Sequence, residues 1–209
     1  AGLKKLVTST ESVEKITGLS CLISICTVAN ETNINTLAFH FLQWVSFKNI
    51  QNKDEEIIGL ASEAMGTLVN SPSSTTFELA DEEFRYALSS LKLDNSKEGF
   101  PRFAACYEIK SLAQKLPILF AVYLGEFLEY MWNVIRDPKD HIREVGVETF
   151  ALALSQIESR EEYFEEVYKE CMKGLAPDNY SHCLHGSIRA LDKMLQKAPE
   201  LIKPRLQEV

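Results

Sequence analysis

Five segments of the 209-residue chain can be laid on one another by placing a small residue at a common anchor: Gly18, Ala61, Ala105, Gly146 and Ser187. The anchors are 43, 44, 41 and 41 residues apart. Four residues beyond them stand Leu22, Met65, Ile109, Phe150 and Leu191; seven beyond, Ile25, Leu68, Leu112, Ala153 and Met194; eight beyond, Cys26, Val69, Ala113, Leu154 and Leu195. Offsets of 0, 4, 7 and 8 trace one face of a helix with 3.6 residues per turn. A small residue on that face lets a neighbouring helix approach closely, which makes each anchor a packing position.

A second set of helical patterns lies between these, over about 34–47, 76–93, 118–135 and 160–175, each with its own apolar stripe, such as Phe77, Ala80, Phe84, Ala87, Leu88 and Leu91. The punctuation agrees. Thr75-x-x-Glu78 and Ser159-x-x-Glu162 read as capping boxes, in which hydroxyl and carboxylate satisfy the free amides of a first helical turn. Asp137-Pro138 reads as a capping acid before a proline at the first helical position, and Pro117, Gly174 and Pro177 follow helix ends. No stretch alternates with period two for long enough to make a strand. The expected fold is all-α: an α-solenoid, a right-handed superhelix of about five antiparallel helix pairs in a single domain over 1–209. Its units are about 1–30, 31–72, 73–116, 117–157 and 158–197, with the start of a further unit at 198–209. A lone pair cannot cover its own stripe, so neighbours bury it and the core runs along the stack.

Composition narrows the function classes. With 22 basic against 30 acidic residues the formal charge is −8, which argues against a nucleic-acid binder, whose affinity rests on clustered Lys and Arg displacing counterions. The longest apolar run, 118–124, is far short of the ~20 residues that span a bilayer. Five cysteines, an odd number without a Cys-x-x-Cys pair, suit reduced thiols packed in a cytoplasmic helical core. The chain opens Ala1-Gly2-Leu3 without a signal peptide, and an amphipathic pattern is still running at Leu206-Gln207-Glu208-Val209, so it is expected to be an excerpt of something longer.

A period near 42 with two helices is the length of HEAT and armadillo repeats. The run Asp137-Pro138-Lys139-Asp140-His141-Ile142-Arg143-Glu144-Val145-Gly146-Val147 resembles the intra-repeat turn of HEAT units, with Arg102 and Lys15 at the offset of Arg143, three before an anchor. The likeness extends further: Arg102-Phe103-Ala104-Ala105, Glu108-x-x-x-Leu112-Ala113, Pro117, Phe120, Phe127, Val134-x-x-Asp137-Pro138-Lys139, Ile142-Arg143-Glu144 and His185-Gly186-Ser187. In that order and at those distances the set resembles the N-terminal HEAT region of the target-of-rapamycin (TOR) Ser/Thr protein kinases. It is most specific over 102–195, and the link from Leu154 to Glu162 is shorter than the connection TOR proteins carry there. The resemblance implies a non-catalytic arm of a large oligomeric complex in growth signalling. It further implies docking of a Raptor-type companion subunit, contact with an activating small GTPase, and recruitment of the parent to endomembrane surfaces. Another HEAT adaptor, such as a nuclear transport receptor or a phosphatase scaffold, is the alternative.

The candidate chemistry is sparse. No Gly-x-x-x-x-Gly-Lys-Ser/Thr loop, Gly-x-Gly-x-x-Gly, His-Arg-Asp or Asp-Phe-Gly set is present to hold phosphates and magnesium, so no catalytic residue and no cofactor is expected. Cys171, His182, Cys183 and His185 are the nearest thing to a zinc cluster, but Cys183 and His185, two apart, fall on different sides of a helix, so no metal is expected. Cys106 with His141 has no local support as a nucleophile pair. Acids at Glu78, Asp81, Glu82 and Glu83 and at Glu161, Glu162, Glu165, Glu166 and Glu170 read as a solvated outer face. Bases at Lys15, Arg102, Lys110, Arg143, Arg189, Lys193 and Lys197 fall on the anchor helices, which line the concave side in HEAT solenoids. For partner binding the residues singled out are Lys139, Arg143 and Asp137, whose plain alternative is a stabilising contact between adjacent repeats.

Overall fold

The computed structural model describes residues 2–28, 45, 54–69, 74–92, 99–157 and 161–206. Among them run ten helices: α1 (Gly2–Val7), α2 (Ser12–Val28), α3 (Glu55–Val69), α4 (Ser74–Leu91), α5 (Phe100–Lys115), α6 (Pro117–Ile135), α7 (Asp140–Ile157), α8 (Glu161–Gly174), α9 (Ser181–Lys197) and α10 (Pro199–Leu206). No strand occurs among the described residues. The fold is an all-α solenoid of helical repeats. The helix pattern placed at 34–47 lies outside the described residues save for Val45, which is buried, and the hydroxyl side chains of both capping boxes lie outside them too.

Helix boundaries follow local chemistry. Asp54 caps α3: its carboxylate accepts the Glu56 amide at 3.0 Å and its carbonyl the Ile58 amide at 3.1 Å, while Glu55 and Glu56 place negative charge on the positive end of the helix dipole. One residue separates α5 from α6. The Leu116 amide closes α5 on the Leu112 carbonyl at 2.7 Å, the Leu116 carbonyl accepts from Phe120, and Pro117 takes the first helical position, where its missing N–H leaves nothing unpaired. The turn at Asp137 departs from the capping expectation. Pro138 precedes the helix, which begins at Asp140, and the Lys139 carbonyl accepts the Arg143 amide at 3.2 Å. The Asp137 carboxylate caps nothing in α7 because it is taken up by a long-range partner and by the Lys139 amide.

The described residues form two compact units, 1–90 with 104–120 and 91–103 with 121–209. In the first, α2 packs on α1 through Gly18, where a Cβ would stand 2.7 Å from the Val7 nitrogen, closer than atoms of two backbones tolerate. Leu19, Leu22, Ile57, Met65 and Leu68 fill the space beyond, and Phe84 meets Phe120 with ring centroids 6.0 Å apart. Each such side chain contributes about 1.5–3 kcal/mol by leaving water. In the second unit Phe127, Met131, Phe150 and Phe164 are fully buried, with Trp132 5.8 Å from Phe150. Gly146 lets α7 press on α6, since a Cβ there would lie 2.7 Å from Val134 Cγ1, and a Cβ on Gly186 of α9 would overlap the carbonyl oxygen of Ile135 at the end of α6.

All five anchors are buried. The stripe beyond them is buried in the middle segments and opens at two places, Ile25 at 48% exposure and Leu195 at 36%. By length and composition α6 is the one helix among the described residues that qualifies to cross a bilayer. Half of it is turned inward: Leu119, Phe120, Leu124, Phe127, Leu128, Met131 and Trp132 are buried against protein, while Ile118 and Val122 are exposed.

Candidate interaction site

The turn joining α6 to α7 gathers the residues the sequence singled out and ties them into one network. Asp137 is 2% exposed. Arg102, near the start of α5, donates to its Oδ2 through Nε at 3.0 Å and again through Nη2, while Oδ1 accepts the Lys139 amide at 2.9 Å. A buried carboxylate is tolerable only with its lone pairs occupied and a counter-charge in contact, and both conditions hold here.

Arg143 in the first turn of α7 is 7% exposed, as is Arg102. Its Nη1 donates to the Asp137 carbonyl at 2.7 Å and the Pro138 carbonyl at 2.9 Å, its Nη2 to Asp140 Oδ1 at 2.8 Å, and its Nε to His185 Nδ1 at 3.3 Å. His185 is 42 residues further on, one repeat length, so the guanidinium stitches one turn to the start of the next anchor helix. Arg189 extends the ladder by donating to Glu144 Oε1 at 3.3 Å, and Phe103 meets the His141 ring edge-on at 5.5 Å. Asp137 and Arg143 therefore build the turn from inside. Lys139 is exposed, its ammonium 5.4 Å from the Phe100 ring, and with Asp140, Glu144 and the partly exposed Arg189 it forms the surface of the turn.

Two charge assignments need correcting. Arg102 and Arg143 do not belong to a basic surface, since both are buried in this network. Glu83 is not on a solvated acidic face either: it is 9% exposed and turned toward Glu108, which no exposed-face reading anticipated. Both errors have one cause, since a charged residue looks the same in sequence whether its helix face meets water or another helix.

The Cys/His residues are dispersed. Cys171 is buried with its Sγ 3.7 Å from Met194 Sδ, His182 stacks on Tyr180 with centroids 5.4 Å apart, and His185 is the acceptor for Arg143. No group of three His, Cys, Asp or Glu stands close enough to hold a metal among the described residues. Burial pushes the Cys171 thiol up to about 12, with Glu170 adding to the effect and Arg136 opposing it, so it stays protonated and unreactive at neutral pH. Cys106 is fully buried in α5.

Two grooves lie among the described residues. One of about 570 Å³ between α6 and α8 is floored by Leu128, Trp132 and Val167 and rimmed by Glu129, Glu166 and Lys169. A more polar one of about 320 Å³ between α3 and α5 is lined by Ser62, Glu63, Tyr107, Lys110 and Lys115 among others.

No family model matches the chain. Among curated proteins it is 26% identical over 215 residues to the serine/threonine-protein kinase TOR of Arabidopsis thaliana, an alignment covering 99% of this chain and 8% of that one. It is 28% identical over 162 residues to the TOR kinase of Oryza sativa subsp. japonica (75% of this chain, 6% of the relative). With the corresponding kinase of Schizosaccharomyces pombe it shares 25% identity over 209 residues (98% of this chain, 9% of the relative). The chain thus spans less than a tenth of the length of these relatives. Among solved structures it is similar to an engineered protein, with a TM-score of 0.51 at 16% identity, covering 96% of this chain and 82% of that one. A designed armadillo repeat protein matches with a TM-score of 0.51 at 17% identity, over 99% and 86%. These two likenesses bear on the fold alone. By sequence along nearly all of its length, and by the helical-repeat fold, the chain resembles a HEAT-repeat region of the TOR serine/threonine-protein kinases.

Proposed function

We propose that this chain is a non-catalytic interaction scaffold, a segment of a TOR-type kinase that docks regulatory companion subunits of the kinase complex in the cytoplasm. The observation that carries the reading is the similarity to TOR kinases over 98–99% of the chain in two of the relatives, on an all-α helical-repeat fold. Such a segment works by holding many small contacts in fixed register: the buried Arg102–Asp137–Arg143 network keeps the turn between α6 and α7 rigid, and the exposed residues above it meet the partner. Lys139 is the residue placed to touch a Raptor-type companion subunit, with Asp137 and Arg143 holding the turn that presents it. An activating small GTPase is the second partner, and the parent kinase is recruited to endomembrane surfaces.

Pull-down with the 209-residue chain tests the reading. Capture of a Raptor-type subunit, weakened by Lys139→Glu with the melting temperature unchanged, supports it. Capture of basic import peptides or of a phosphatase catalytic subunit in its place assigns the chain to another class of HEAT adaptor.

A further inference from the structure

Glu108, in the middle of α5, is fully buried, and among the described residues neither of its carboxyl oxygens has a hydrogen-bond partner of ordinary geometry. What faces it is the carboxylate of Glu83 from α4 and the hydroxyl of Ser62 from α3, both buried. Ser62 favours the ionised form, but no hydrogen bond of ordinary geometry reaches Glu108. Among the described residues Glu83 is the one charged group that bears on it, and its charge has the same sign. Nor do these residues make a cation site, for no third His, Cys, Asp or Glu among the described residues joins them.

An ionised carboxylate held away from solvent, with no counter-charge among the described residues, is costly to bury, and it takes up a proton instead. We propose that Glu108 is a neutral carboxylic acid in the folded protein at neutral pH, making the packing of α3, α4 and α5 a proton-linked device that loosens as pH rises. Burial first, and the Glu83 charge second, hold its carboxyl well above the usual carboxylate range. In the unfolded chain the group ionises in that ordinary range. Folding therefore takes up one proton in the window above it, so stability falls as pH rises through the window and levels off once the folded carboxyl has also ionised. Below the ordinary range both states are protonated and the group has no effect.

The test compares the 209-residue chain with Glu108→Gln, which keeps the shape and cannot ionise, by thermal melting against pH and by infrared spectroscopy of the carboxyl region. Relative to the variant, the melting midpoint of the parent chain should fall by about 3–5 °C per pH unit above the ordinary carboxylate range. A protonated-carboxyl band at pH 7 should vanish in the variant. Parallel melting profiles, or no such band in the parent chain, overturn the proposal. Should Glu108→Gln fail to fold, Glu83→Gln serves: removing the like charge should move the Glu108 titration to lower pH, and an unmoved titration overturns the coupling.

Discussion

Arg102 and Arg143 stand at one offset, three residues before a small anchor, and both close on the same turn, one through the Asp137 carboxylate and the other through the Asp137 and Pro138 carbonyls. Removing one partner of a buried pair strands the other, so the loss exceeds the net value of the contact. Arg102→Ala is expected to destabilise the chain by about 3–5 kcal/mol in chemical denaturation, because Asp137 is left buried without its counter-charge. Lys139→Glu, on the exposed side of the same turn, should change stability by no more than about 0.5 kcal/mol in the same measurement. A large loss at Lys139 would show that the ammonium carries structure and is not kept for a partner.

At the scale of the element, glycines separate close helix approach from simple helix composition. Gly186 of α9 sits against the Ile135 carbonyl, and no side-chain rotation can relieve an overlap with backbone. Gly59 of α3 has one neighbour in reach, Tyr107 Cε1 at 3.7 Å from the position of a Cβ, an ordinary contact. Gly186→Ala should therefore cost about 1–3 kcal/mol or more through overpacking, whereas Gly59→Ala should stabilise by about 0.5–1 kcal/mol by favouring the helix. Denaturant midpoints of the two variants should move in opposite directions. The helix pattern made α4, α6 and α8 legible to within two residues of their ends, because a 3.6-residue period is a property of each segment alone. The Asp137 cap was misplaced because the carboxylate has a better-charged partner 35 residues away.

For the whole molecule, stacked repeats predict stability that is summed over neighbours and not all-or-none. A chain ending at Ile157 loses α8, α9 and α10 and uncovers the side of α7 that α9 covers. It should keep helical circular dichroism in proportion to its remaining helices while melting at a lower temperature. Complete loss of helicity on truncation would contradict a repeat architecture. The formal charge of −8 belongs to this scale as well, and the chain should give no mobility shift with duplex DNA at physiological salt.

What the order of residues determined alone is the all-helical repeat, its period near 42 and its small anchors, because helix periodicity and capping are written within a few consecutive positions. Tertiary structure decided which charges are surface and which are interior. Arg102, Arg143, Glu83 and Glu108 are buried by helices distant in sequence, and a charge becomes a stitch or a proton holder only when such a neighbour removes its water and supplies, or withholds, a counter-charge.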